Sequence, residues 1–284
     1  MIIVLVGPTG VGKTKMSIEL AKKYHAIIVN ADSMQVYEDL NIGTAKIKEE
    51  EKENIPHYLF DIVKPNEMYT VYDYQKDLRK ILDNNKDKNI IIVGGTGLYV
   101  KAGLYNYEFI EEENLKVNYD NLTNEELYQK VLEKHPNSTV HINNRKRLER
   151  LMNKNNSSNK GNELLYPSIF IGLSTDRDTL YQNINNRVDK MFNEGLLDEV
   201  KNLYNNKIDG KAIRTGIGYK ELYDYLDGKI SLEEATDLIK KRSRHYAKRQ
   251  YTWFKNQMDI NWFEVDFNDF DNTINEVVNF IDKY

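Results

Sequence analysis

The chain of 284 residues contains no cysteine. That excludes disulfides and thiolate-held zinc, and it fits a cytoplasmic protein. No apolar run approaches the ~20 residues of a membrane span. The apolar segment Ile2–Val6 is short and passes at once into a glycine-rich loop, so it reads as a core strand and not as a signal peptide. Positive charge is not in excess either. A formal net charge of −4 argues against indiscriminate coating of nucleic acid, while leaving room for local basic faces. No internal repeat is present. With 40% hydrophobic and 30% charged residues, the composition is that of a soluble globular protein.

The most informative stretch is Gly7-Pro8-Thr9-Gly10-Val11-Gly12-Lys13-Thr14. A buried strand that ends in such a turn and opens a helix is the setting of a phosphate-binding loop. Its glycines let successive N–H groups face inward as an anion nest at a helix N-terminus. Lys13 adds a point charge, and the Thr14 hydroxyl is placed to ligate Mg²⁺. ATP-binding proteins share this loop type, so the loop alone does not say which phosphate it holds.

Further along, alternating strands and helices predict an α/β fold, a P-loop NTPase-like parallel sheet flanked by helices. Helices are expected over 13–23, 70–86, from Asp176 to a stop at Gly195, and over 271–284. Strands are expected at 26–29, 57–63, 90–93, 168–173 and 261–265. Asp32 and Ser33 follow the second strand, where residues of a parallel sheet line the ligand crevice. Position alone leaves Asp32 evenly divided between that crevice and capping a helix near Met34. Residues 41–46 read as a loop. The glycines of 94–97 would let backbone approach a ligand, with the Thr96 hydroxyl at the crevice floor, or would simply make a strand-to-helix turn.

A small helical unit interrupts the pattern, giving a core over 1–104, an insertion over 105–142 and a second core segment over 143–284. Capping boxes at Thr123/Glu126 and Ser231/Glu234 open two helices. Residues 153–163 read as a polar loop. A basic cluster lies at Arg145, Lys146, Arg147 and Arg150. A second basic stretch carries seven Lys or Arg and no acidic residue over 240–255, interleaved with aromatics. It is either an RNA platform or a buried aromatic stripe beside a solvated cationic one.

Taken together, GPTGVGKT at 7–14, NADSMQVY at 30–37, NIGTAK at 41–46, PHYLFDIV at 56–63, GGTGLY at 94–99, HINNRKRLER at 141–150, IGYKEL at 217–222 and AKRQYTWFK at 247–255 resemble the tRNA dimethylallyltransferase (tRNA isopentenyltransferase) family. The resemblance covers most of the chain. It implies transfer of a dimethylallyl group from dimethylallyl diphosphate to the exocyclic amine of the adenosine 3′ of the anticodon, with the base flipped from its stack. Gly7, Pro8, Thr9, Gly10, Val11, Gly12, Lys13 and Thr14 then cradle diphosphate, with Mg²⁺ on Thr14. Asp32 becomes the general base, with Thr96 beside it as a catalytic and tRNA-contacting residue.

Asp32, Ser33, Met34 and Gln35 match the segment that meets the base. Lys146, Arg147, Leu148, Glu149 and Arg150 match a tRNA-contacting segment. Lys220 stands where many relatives carry an arginine near the diphosphate, which lysine does not replace as a bidentate donor. Lys116 or Asn118 are candidates for a tRNA-contacting arginine that has no clear counterpart. The expected partners are the anticodon stem-loop and dimethylallyl diphosphate, with no membrane, for a monomer of bacterial type lacking a C-terminal zinc finger. A P-loop kinase, a prenyltransferase of free adenine nucleotides and a non-catalytic RNA-binding module are the competing readings.

Overall fold

The computed structural model describes residues 1–109, 117–153 and 160–284. They form two compact units, Met1–Tyr105 with Glu163–Tyr284, and Asn106–Asn162. The first unit is built on a parallel six-stranded sheet of order β3-β2-β4-β1-β7-β8. Its strands are β1 (Ile2–Val6), β2 (Ala26–Asn30), β3 (His57–Tyr58), β4 (Asn89–Gly94), β7 (Ile169–Ser174) and β8 (Asn261–Glu264). Between β4 and β7 the chain passes through β5 (Tyr105–Tyr107) and β6 (Lys160–Leu164), which pair as a separate two-stranded sheet.

Near-continuous apolar strands are what a sheet covered on both faces requires. The period of two then sorts each strand between two cores. Ile3 and Leu5 of β1 lie in one cluster with α1 (Lys13–Tyr24) and α11 (Phe270–Ile281). Val4 and Val6 lie in the other, with α2 (Val71–Asn84), α3 (Gly97–Leu104) and Phe254 of α10 (Leu232–Gln257). A third cluster joins α6 (Arg177–Asn193), α7 (Leu196–Asn205), α8 (Lys211–Thr215), α9 (Tyr219–Leu226) and the first half of α10 to Val36, Tyr37 and Leu40.

Register decides where the loops emerge. Val6 pairs with Gly94 and with Gly172, and Asn30 with Val93. The C-terminal ends of β1, β2 and β4 are therefore level, and Gly7, Ala31 and Gly95 leave the sheet at one edge.

The core of the second unit is a helical pair, α4 (Asn124–Lys134) and α5 (Arg145–Asn153), closed around Leu127, Val131, Val140 and Leu148. The capping box at Thr123 forms as expected: Thr123 accepts from the Glu126 N–H, and Glu126 accepts from the Thr123 N–H at 2.8 Å. The boundary expected at residue 142 is displaced to Asn162, because Leu148 on α5 completes this small core.

Two further expectations change. The strand over 57–63 shortens to two residues, since Leu59 and Asp61 adopt positive φ and only Val63 returns, as an isolated bridge to Tyr37. Of the polar loop over 153–163, residues 154–159 lie outside the described set, and Lys160–Leu164 is a strand.

Candidate active site

The phosphate loop takes its shape from two glycines. Gly7 has φ 147°, and a Cβ there would lie 2.5 Å from the Leu173 carbonyl oxygen. Gly12, at φ 89°, is the N-cap of α1, and a Cβ would meet the Phe270 ring at 2.6 Å. Lys13 folds back across the loop and donates to the carbonyls of Gly7 at 3.0 Å and Pro8 at 2.7 Å. Thr14 is exposed, and with Thr9, Gly10, Gly12 and Lys13 it lines a cavity of about 440 Å³.

Asp32, Ser33, Met34 and Gln35 line the same cavity. Of the two roles that its position left open, Asp32 takes the crevice one, and no helix starts near Met34 for it to cap. One carboxylate oxygen accepts from the Met34 N–H at 2.8 Å, closing a turn with no helix behind it. Behind Asp32, the buried Asn30 side chain accepts its N–H at 2.9 Å and donates to its carbonyl at 3.1 Å, which fixes the backbone. The Thr96 hydroxyl accepts from the Ser33 N–H at 3.0 Å and donates to the Ser33 hydroxyl at 3.2 Å. The strand-end loops of β2 and β4 are thereby tied together. The glycines of 94–97 let protein approach closely: Gly94 abuts the Ala31 backbone, Gly95 the Gln250 amide and Gly97 the Trp253 ring, while Gly94 and Gly95 also line the cavity.

Three cavity residues were not singled out by sequence. Arg187 projects from α6 and donates to the Thr44 carbonyl at 3.2 Å. It sits between Ile184 and Val188 on the apolar stripe of that helix, and a cation in such a stripe is the signal that marks it. Gln250 is buried on α10. Its oxygen accepts from the Thr9 N–H at 2.9 Å, and its amide donates to the Gly95 carbonyl at 3.0 Å. It braces the phosphate loop against the β4 loop. Tyr246, one turn earlier, bonds through its hydroxyl with Thr96 and Gln250, while burial and the Asp32 charge push its pKa up.

The cations are perturbed accordingly. Burial, then the nearby Arg187, lowers the Lys13 pKa to about 7, against the opposing pull of Asp32. Burial also lowers that of Arg187, again opposed by Asp32. The lining also has an apolar part: Met34, Ile184, Val188, Met191, Leu196 and Ile239 all line the cavity.

Other expected site residues fall elsewhere. Lys220 is exposed in the first turn of α9 and is not part of the cavity lining, which takes Gly216, Ile217, Gly218 and Tyr219 from that turn. In the second unit Lys146, Arg147 and Arg150 are exposed, but Leu148 is fully buried and has no surface to offer RNA. Glu149 pairs with Arg145 at 2.8 Å. Arg145 itself is spent on the carbonyls of Leu122 and Tyr119, at 2.8 and 2.6 Å. Lys116 lies outside the described residues, and Asn118 is exposed and accepts from the Asp120 N–H at 2.7 Å. On α10 the mixed reading resolves into Ala247, Gln250 and Phe254 buried, and Lys248, Arg249 and Lys255 exposed. Among the described residues no helix is long and apolar enough to cross a membrane.

Comparison with known proteins agrees with this geometry. The chain is 47% identical over 281 residues to a tRNA dimethylallyltransferase of Fusobacterium nucleatum, covering 93% of this chain and 91% of the relative. Its counterpart from Bacillus subtilis is 43% identical over 284 residues, covering 93% and 90%. Among solved structures, the tRNA isopentenylpyrophosphate transferase of Staphylococcus epidermidis superposes with a TM-score of 0.77 at 38% identity, over 99% and 98% of the two chains. A eukaryotic dimethylallyltransferase acting on tRNA superposes with a TM-score of 0.79 at 28% identity, over 98% of this chain and 77% of that one. Residues 35–257 match the family model described as IPP transferase. With the phosphate loop, Asp32 and Thr96 assembled at one edge of the sheet, the chain belongs to the IPP transferase family.

Proposed function

We propose that this enzyme transfers a dimethylallyl group from dimethylallyl diphosphate to the N6 amine of the adenosine 3′ of the anticodon in tRNA, releasing diphosphate. The observation that carries the reading is the mixed lining of one cavity. Loop N–H groups, Lys13 and Arg187 line it together with the aliphatic side chains of Ile184, Val188, Met191, Leu196 and Ile239. An allylic diphosphate is an amphiphile of that pattern, whereas the triphosphate and sugar of ATP would set polar groups against aliphatic carbon.

In the reaction the amine nitrogen bonds to C1 of the allyl group as the C1–O bond to diphosphate breaks. The loop N–H groups, Lys13 and Arg187 stabilise the negative charge that collects on the departing oxygens. Asp32, held by the turn to Met34 and by Asn30, accepts the proton shed by the amine. Thr96 fixes Ser33 and with it the base-facing segment. The exposed Thr14 hydroxyl suits Mg²⁺, a hard cation that commonly completes its shell with substrate phosphates and water. When bound, it would neutralise part of the diphosphate charge. Among the described residues there is no cluster of three or more His, Cys, Asp or Glu, so substrate oxygens would supply much of that shell. Lys146, Arg147 and Arg150 hold the RNA backbone, and the enzyme works as a cytoplasmic monomer.

The test is transfer of labelled dimethylallyl diphosphate to an unmodified anticodon stem-loop, with free AMP as the rival acceptor. Label on RNA alone is expected, and Asp32→Asn should lower turnover by ~10²–10⁴ with RNA affinity retained. Label on AMP alone, or ATP turnover without transfer, overturns the reading.

A further inference from the structure

Glu199 lies in the first turn of α7, where an acidic residue ordinarily does no more than complement the helix dipole. Its neighbour Asp198 is exposed and adds only a surface ion pair with Lys201 at 3.8 Å. Glu199 is different, because its carboxylate receives four hydrogen bonds. One oxygen accepts the N–H groups of Asn41 at 3.0 Å and Ile42 at 2.7 Å. The other accepts the N–H of Gly43 at 3.1 Å and the hydroxyl of the buried Tyr219 at 2.7 Å. Three consecutive backbone N–H groups around a carboxylate form a filled anion nest, and the negative charge makes each bond a strong one.

The next residue in that loop is Thr44. Its carbonyl accepts from Arg187 at 3.2 Å and from the Gln35 amide at 3.0 Å. Gly43, Thr44, Ala45 and Tyr219 all line the cavity. Lys46 fixes the far end of the loop through the Tyr37 carbonyl at 2.7 Å, Asn41 Oδ1 at 2.9 Å and Asp61. The loop thus keeps its own shape through Lys46 and is docked to α7 through Glu199.

We propose that Glu199 is a positioning residue for diphosphate. By docking residues 41–43, it sets the Thr44 carbonyl that holds the Arg187 guanidinium near Lys13 in the cavity. This rests on the assignment of these cavity cations to diphosphate. A carboxylate is required because both oxygens must accept. An isosteric amide turns an NH₂ group toward one pair of donors and repels them.

The experiment measures inorganic diphosphate binding by calorimetry in the wild type, Glu199→Gln, Arg187→Ala and the double variant, alongside steady-state kinetics. Glu199→Gln is expected to weaken diphosphate ~5–10-fold and to raise the KM for the allylic diphosphate equally. The KM for the stem-loop should stay unchanged and kcat within ~3-fold. In the Arg187→Ala background the same substitution should add less than ~2-fold, the signature of two residues acting through one group.

Diphosphate binding unchanged in Glu199→Gln, or effects that multiply in the double variant, overturns the proposal while leaving the cavity assignment standing. Unchanged binding in Arg187→Ala fails the cavity assignment itself. Should Glu199→Gln not fold, Tyr219→Phe removes one of the four donors without changing volume. It is expected to shift diphosphate binding ~2-fold in the same direction, and only while Arg187 is present; no shift overturns the proposal.

Discussion

The molecule carries two sets of cations assigned to phosphate, and they are built oppositely. Lys13 and Arg187 are drawn into a cavity, where burial penalises their charge and Asp32 partly restores it. Lys146, Arg147 and Arg150 are exposed on α5, the helix whose Leu148 is buried in the small core. Buried charges interact strongly, at short range, with an anion of defined shape. Exposed ones interact weakly, and salt screens them over about 8–10 Å. The first set is suited to one diphosphate and the second to a polyanion held by many equivalent contacts.

Removing the buried charge should have the largest effect and should pull activity and stability apart. The Lys13 pKa of about 7 in the folded protein lies well below the 10.5 of an unperturbed lysine. Below pH 7 the lysine is charged in both states and its full burial cost falls on the folded one. Between about 7 and 10.5 the unfolded chain binds more protons, so wild-type stability should rise with pH across that window. Lys13→Met is expected to lower turnover ~10²–10³-fold. At pH 6.5 it should stabilise the unliganded protein by on the order of 1–3 kcal/mol, after loss of its two hydrogen bonds is counted. Turnover assays and thermal melts check the pair; a lower melting temperature at pH 6.5 would show that the lysine's hydrogen bonds outweigh its desolvation.

The same group gives the cavity a pH dependence that α5 should lack. Diphosphate binding needs protonated Lys13, so the affinity should hold below pH 7 and fall by up to ~10-fold per unit above it. Calorimetry from pH 6 to 9 reads the slope, and Lys13→Met should flatten it. An equal slope in that variant would assign the titration to another group.

How much of this was legible in the sequence follows from the range of the interactions. The phosphate loop, the β2 and β4 loops beside it and the capping boxes at Thr123 and Ser231 are local patterns, and each forms where its residues say it should. Asp32 was legible as a crevice residue, and the helix it might have capped does not form: one oxygen closes a turn through the Met34 N–H, and the residue lines the cavity. Gln250 was hidden because it pairs with Thr9, 241 residues away, and nothing in a helix marks a glutamine as buried. Glu199 carries no local signal for the same reason, since the N–H groups it accepts lie more than 150 residues away. Arg187 left a trace as a cation in an apolar stripe. That Leu148 faces the core of its unit was not legible, because a five-residue match carries no record of which side of the helix is inside.

Leu148 offers the next test. Leu148→Ala should cost ~2–5 kcal/mol within the small α4–α5 core. Amide exchange at Leu127 and Val131 would rise, while diphosphate affinity in the cavity stayed as it was. Loss of diphosphate binding in this variant would break the comparison, since the exposed set would then owe its effect to the buried one.

The smallest effect is the sharpest separator. Arg147 is exposed, and no hydrogen bond or ion pair of its side chain is recorded among the described residues, so Arg147→Ala should leave stability within about 0.5 kcal/mol of the wild type. If its guanidinium neutralises one phosphate, tRNA affinity should drop by a few-fold at low salt. The slope of log affinity against log salt should shrink by ~0.7–0.9, the counterion share of a single contact. That slope should be the same at pH 6.5 and 8.5, because a guanidinium in water keeps its proton throughout. A salt slope left intact would return Arg147 to solvated surface, and a slope that changed with pH would mean that the tRNA contact draws on Lys13, erasing the distinction between the two sets.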